Sequence, residues 1–220
     1  MGRQKRNFVV IGLGTFGHTI ATELTEFGNY VLGVDCDEER INAVAEELDE
    51  AAILDCRDEE ALREAGVGDY DVAVVALGHD IEASVLATMN VKLLGVDSIW
   101  VKAVSRTHHR ILSKLGADRV VQPEQDAGRH VAQMLHNPLL RDYLSLGNGY
   151  YIVDLRVPEK LHGETVKELK LGDNPELRCM GIMRGTEYLE PADESTVLEA
   201  DDKLLVLGKR DELRDFSEGL

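Results

Sequence analysis

Residues 9–17, VVIGLGTFG, run an apolar segment into three glycines, Gly12, Gly14 and Gly17, at the spacing GxGxxG. The run Phe8–Ile11 reads as a buried strand, and Ile20, Leu24 and Phe27 beyond the glycines share one face of a helix. Eighteen positions after Gly17 the next apolar run, YVLGVD, ends in Asp35. Strand, glycine turn, helix and acid in this order fit a dinucleotide-binding fingerprint. Gly12 would allow the tight turn, Gly14 would let the backbone approach a phosphate, and Gly17 would let the helix pack on its strand. Thr15 and Phe16, between the glycines, belong to the same candidate cofactor-binding loop. The helix start offers free N–H groups and the positive end of its dipole to an anion. Asp35 would accept ribose hydroxyls and repel a 2′-phosphate. A glycine turn that only packs a βα unit leaves the acid unexplained.

Strand and helix patterns alternate to about residue 145. Apolar runs at Phe8–Ile11, Tyr30–Val34, Ala51–Leu54, Val72–Leu77, Ile99–Val101 and Arg119–Val121 read as strands, with helices near 16–27, 38–48, 58–65, 81–94 and 107–115. This pattern predicts a doubly wound parallel sheet, because parallel neighbours need crossovers and both faces become buried. The run from Glu124 to Leu144 reads as a further helix, kinked or broken at Pro138. Its apolar positions, Val131, Met134, Leu135, Leu139 and Leu140, are expected to form an interface between copies. SLGNGY at 145–150 reads as a linker, and 150–220 as a small α+β domain with a helix near 164–169. The expected domains are therefore 1–144 and 150–220.

Formal net charge is −17, from 41 acidic and 24 basic residues, which argues against a nucleic-acid surface. The three cysteines, Cys36, Cys56 and Cys179, have no CxxC spacing and read as free thiols in a reducing compartment. No apolar run approaches the roughly 20 residues of a membrane helix. A cytoplasmic protein without direct membrane insertion is expected.

In a doubly wound sheet the carboxyl ends of the strands face the ligand crevice. The second and third strands end in Asp35-Cys36-Asp37 and Asp55-Cys56-Arg57, and the fourth in Ala76-Leu77-Gly78. The two cysteines suit an adenine slot and suit ordinary strand-end packing equally. Lys102, a cation in the apolar IWVKAV, must leave the core or meet an anion, because burying an unpaired ammonium is costly. A phosphate is the preferred partner over a structural ion pair. Glu124, after Pro123, reads on its own as a first-turn acid favoured by the helix dipole. The alternative is a ligand for a divalent cation beside phosphates. The seven histidines show no metal-ligand spacing, and GxSxG, HExxH and P-loop motifs are absent. These features favour a sensor over an enzyme. The rival reading is an NAD-dependent oxidoreductase with an atypical second domain.

Together VIGLGTFG, VDCDEE, VVALG, WVKA, LGADRVVQPEQDAG and the small C-terminal domain resemble the RCK family, regulators of potassium conductance. The nearest resemblance is to cytosolic subunits of Ktr- and Trk-type bacterial potassium uptake systems, and it spans nearly the whole chain. It implies a Rossmann-like domain, a crossover helix and an RCK C-terminal domain. It also implies dimers assembling into an octameric ring beneath a membrane-embedded potassium transporter, gated by ATP and ADP or by NAD and NADH. Carried onto this sequence, it gives the phosphates to Gly12, Gly14 and Gly17, with Lys102 placed for them, and the ribose to Asp35. Asp55, Cys56, Ala76, Leu77 and Gly78 would line the adenosine slot, and Glu124 would help hold a cation. Ktr-type members usually carry an arginine between the second and third glycines, where this chain has Thr15.

Overall fold

A computed structural model describes residues 5–190 and 195–220, and compactness divides the chain into two units between Glu124 and Gln125. In the first unit six parallel strands stand in the order β3-β2-β1-β4-β5-β6: β1 Asn7–Ile11, β2 Tyr30–Asp35, β3 Glu50–Ile53, β4 Val72–Val75, β5 Ser98–Lys102 and β6 Arg119–Val121. The helices between them are α1 Thr15–Glu26, α2 Glu38–Val44, α3 Glu59–Glu64, α4 Ile81–Leu93 and α5 Arg106–Leu115. All six expected strands are present. The fourth is shorter than expected, so Ala76, Leu77 and Gly78 lie in the loop beyond it.

Alternation along β1 feeds two cores. Val9 and Ile11 join Ala73, Val75, Ile99 and Val101 under Leu62 of α3, Ala87 and Val91 of α4 and Leu112 of α5. Val10, Val31, Val72 and Val74 face the other way, against Ala21 of α1 and Ile41 and Val44 of α2. A strand buried on both faces reads as a continuous apolar run, which is why these strands were legible without a polar stripe.

Helix α6, Pro123–His136, ends before the position expected. Asn137 and Pro138 stop it: the Asn137 side-chain oxygen accepts the Leu139 N–H at 3.0 Å, and its amide donates to Ser217 Oγ at 2.8 Å. Residues expected to continue the helix form β7, Leu140–Gly147, and the expected linker at 145–150 is a hairpin into β8, Tyr150–Arg156. Asn148 and Gly149, at φ 51° and 80°, make the turn that this hairpin needs. With β9 Leu177–Arg184, β10 Glu187–Leu189 and β11 Lys203–Lys209 they form an antiparallel sheet in the order β10-β9-β11-β8-β7. The helix expected near 164–169 is a single 3-10 turn, Val166–Leu169, closed by a Thr165–Glu168 capping box. The C-terminal helix α7, Arg210–Gly219, packs Leu213 into the second unit's core. Val131 and Leu135 of α6 are exposed as expected of an interface, whereas Leu139 and Leu140 pack on that core. Among the described residues no helix is long and apolar enough to cross a membrane.

One polar side chain in the first unit has a titration consequence. His108 is buried in α5; its Nδ1 accepts the Val104 N–H at 3.4 Å and its Nε2 has no partner among the described residues. Burial lowers its pKa, so the folded state favours neutral imidazole while the unfolded chain protonates near pH ~6.5. This stability is complete above that pH and is lost as pH falls toward the folded-state value, at up to about 1.4 kcal/mol per pH unit. Denaturant titrations at pH 7.5 and 5.5 should show the loss in the native chain and a smaller one in His108→Gln.

Candidate nucleotide-binding site

Helices α2, α3, α4 and α5 are each capped by a side chain, Asp37, Asp58, Asp80 and Ser105, that accepts a first-turn N–H. Helix α1 has Gly14 at that position and no side-chain cap. Its first-turn donors face the carboxyl edge of the sheet without an acceptor among the described residues, and this is the arrangement that binds an anion.

The three glycines are required for different reasons. Gly12 stands at φ +92°, and a Cβ there would meet Leu77 Cδ2 at 2.7 Å. A Cβ on Gly17 would fall 1.8 Å from the Gly12 carbonyl oxygen, so this contact between α1 and the end of β1 excludes every side chain. A Cβ on Gly14 would meet nothing within 4 Å. The space above Gly14 is open to a ligand, and the backbone below it is fixed.

Asp35 fixes it. Its Oδ2 accepts the Leu13 N–H at 2.7 Å and lies 3.3 Å from Arg40 Nη1, while its Oδ1 accepts the Asp37 N–H at 3.0 Å. Burial pushes this carboxyl up, but the two backbone donors and the Arg40 guanidinium outweigh it, and the group is held below the usual carboxylate range. Asp35 is therefore part of the loop's scaffold as well as a candidate ribose acceptor. Each carboxylate oxygen has about two acceptor sites, so Oδ1 retains one for a ribose hydroxyl.

Around this centre the other expected residues separate into two groups. Cys36 is exposed, and Ala76, Leu77 and Gly78 lie half-buried where β4 ends. Asp55 is exposed, but Arg57 grips both its oxygens, at 2.9 Å from Nε and 2.6 Å from Nη2, and lowers its pKa. Cys56 turns into the core, where burial raises its thiol to about 11, so it is an inert packing group. Its carbonyl and that of Arg57 accept the side-chain amide of Asn90 on α4, a polar group on an apolar helix face that the sequence reading passed over.

The Lys102 side chain crosses the would-be Cβ of Gly78, its Nζ 3.1 Å from that point. The ammonium lies 5.5 Å from the centre of the Phe16 ring and 2.5 Å from Glu124 Oε1. Lys102 lowers the Glu124 pKa through this bond. Without a ligand the ion pair is the partner that Lys102 has; it stands beside Gly78 and Phe16, within the candidate site. A cation site is a different matter. Among the described residues no three His, Cys, Asp or Glu side chains come together, and the Glu124 carboxylate already holds Lys102. A divalent cation at Glu124 would therefore have to draw its other ligands from the phosphates of a bound nucleotide and from water.

Comparison with known proteins places the chain in a family. A TrkA-N domain model matches residues 8–123 and a TrkA-C domain model matches 150–219. The chain belongs to the RCK family. It is 38% identical over 215 residues to "Ktr system potassium uptake protein A" of Vibrio alginolyticus, covering 98% of each chain. To the Bacillus subtilis protein of the same name it is 37% identical, covering 100% of both. Among solved structures, the GsuK channel superposes at a TM-score of 0.68 with 16% identity, covering 96% of this chain and 38% of the other. The GsuK channel bound to NAD gives 0.66 over the same shares, a likeness of fold.

The double use of Asp35 gives a test. In Asp35→Asn the amide would set a donor against the Leu13 or Asp37 N–H, and leaving a buried donor unpaired costs about 1–3 kcal/mol. Chemical denaturation should show that loss without ligand, together with weaker nucleotide binding. Full stability in the variant would leave the acid with the ligand role alone.

Proposed function

We propose that this protein is the nucleotide-responsive regulatory subunit of a potassium uptake system and not an enzyme. The observation that carries the reading is the uncapped start of α1 above Gly14, with Asp35 fixed opposite it. Family membership and full-length relatives named as Ktr potassium uptake proteins supply the physiological setting. In this reading Gly12, Gly14, Thr15, Phe16 and Gly17 surround the phosphates, and Asp35 Oδ1 accepts a ribose hydroxyl. Cys36, Ala76, Leu77 and Gly78 face the nucleoside, with Asp55 at the rim and Cys56 beneath. The ligand is an adenine nucleotide, ATP or ADP, with NAD or NADH as alternatives that share the same adenosine and phosphates. The subunit works as a homo-oligomer, to which the exposed Val131 and Leu135 contribute, docked on a membrane-embedded potassium transporter.

A ligand at a hundred times its Kd that binds only the folded state adds about 2.7 kcal/mol. Thermal melts with ATP, ADP, NAD and NADH should shift by roughly 5–10 °C with at least one of them. No shift with any of the four would remove this reading.

Lys102 gives a sharper expectation. A phosphate competes with Glu124 for the ammonium, and the carboxylate itself repels the phosphates. Glu124→Gln should tighten ATP binding in EDTA, by roughly two- to fivefold for a pair whose carboxylate is exposed and which is worth ~1 kcal/mol. Calorimetric titration of both proteins reads this directly, and weaker binding in the variant would overturn it.

Thr15 is exposed at the first position of α1 and carries no charge. The γ-phosphate therefore gains no charge-assisted bond from position 15, and ATP and ADP should bind within about tenfold of each other. Thr15→Arg should favour ATP selectively, since a hydrogen bond to a charged group is worth about 1.5–3 kcal/mol. An unchanged ATP/ADP ratio in paired titrations would exclude this account of position 15.

A further inference from the structure

The second unit holds a cleft of about 860 Å³ between the end of α6, strands β7 and β8, and α7, within the range of small-molecule sites. Its floor is apolar, with Val153, Leu155 and Leu213. Tyr143 forms one wall, its ring stacked on His130 at 4.8 Å and edge-on to Tyr151 at 6.0 Å. The lining includes three guanidinium groups, Arg129, Arg210 and Arg214, with Asp211 its one carboxylate.

Among the described residues, two of the three arginines are matched by carboxylates, and the third is not. Arg129 pairs with Asp126 at 3.3 Å, and Arg214 with Asp215 at 3.1 Å and Asp211 at 3.6 Å. For Arg210 the described contacts include no carboxylate, although it stands at the first position of α7 beside the cleft. The cleft also differs from the face expected to meet another copy. Arg129, Ala132, Gln133 and His136 line it from one side of α6, whereas Val131 and Leu135 lie on another side, at ~100° per residue.

We propose that this cleft is a second ligand site, taking a small organic anion whose apolar or planar body lies on Tyr143, Val153 and Leu155. The acidic group of that ligand is held by Arg210 and Arg214. The unmatched Arg210 selects an anion, and the apolar floor excludes a bare inorganic one. The site shares no residue with the nucleotide cradle around Gly14, so it stands whether or not that cradle binds nucleotide.

The test uses the full-length protein and two fluorescent probes of similar body, 8-anilinonaphthalene-1-sulfonate and its neutral analogue N-phenyl-1-naphthylamine. The sulfonate should bind saturably and at least tenfold more tightly than the neutral probe. Arg210→Gln combined with Arg214→Gln should remove that preference and leave the neutral probe unchanged. Ala132→Trp, which fills the cleft from an exposed helix position, should weaken both probes with the circular dichroism spectrum and thermal midpoint intact. Equal binding of the two probes would overturn the proposal, as would a sulfonate affinity indifferent to the arginines. A fall in oligomer mass in Ala132→Trp by light scattering would also overturn it, by assigning the cleft to a second copy.

Discussion

The approach of α1 to the end of β1 is the contact on which the geometry of the candidate site depends. Gly17 lies so close to the Gly12 carbonyl that no side chain fits between them. That distance places the helix start, with its unsatisfied N–H groups, directly over the carboxyl edge of the sheet. Gly12 adopts the left-handed backbone that turns the chain there, and Asp35 anchors the turn from the neighbouring strand through the Leu13 N–H. The parallel register makes this possible, because Ile11 stands beside Val34 and the two strands end together. The geometry that suits a phosphate thus follows from strand pairing and one glycine contact, before any ligand is considered.

How much of this could be read in advance depended on the period of the pattern. Strands buried on both faces show as apolar runs, and the inner strands β1, β2 and β4 were legible for that reason, whereas the edge strands β3 and β6 are only half-buried. The failure came at 137–150. Leu139, Leu140 and Leu144 keep a spacing that continues the apolar stripe of α6, and LRDYLSLG also alternates as a strand would. Asn137 decides between them by capping the next turn and bonding Ser217, a residue 80 positions away. No local pattern contains that contact. The turn at Asn148-Gly149 was visible as a turn, but only the pairing of Leu144 with Ile152 distinguishes a hairpin from a linker.

Within the candidate site, the places of the expected residues in the fold were legible and their bonds to the protein were not. The glycines, Asp35 and Lys102 stand where the fingerprint and strand-end rule put them. What the sequence could not disclose is how many of these groups are already bonded to the protein: Asp35 to two backbone donors and Arg40, Asp55 to Arg57, Lys102 to Glu124. Cys36 and Cys56 occupy equivalent positions after adjacent strands, yet one is exposed and the other buried. The backbone at Cys56 is held by Asn90 of α4, whose amide donates to the Cys56 and Arg57 carbonyls.

A sensor must bind its ligand differently in two conformations, since a ligand bound equally in both shifts neither. The Lys102–Glu124 pair supplies such a difference in chemical terms. Lys102 sits at the end of β5, fixed in the sheet, whereas Glu124 sits in the first turn of α6, the helix that leads into the second unit. In the function proposed above, a phosphate that takes the ammonium would release a carboxylate on that helix, and loss of the phosphate would restore the bond. Charge at Lys102 would thereby be coupled to α6. With its carboxylate in solvent, a pair of this kind contributes about 1 kcal/mol. In one chain that is a bias; across identical subunits that switch together the same bias adds once per subunit, and a modest pair becomes a decisive one.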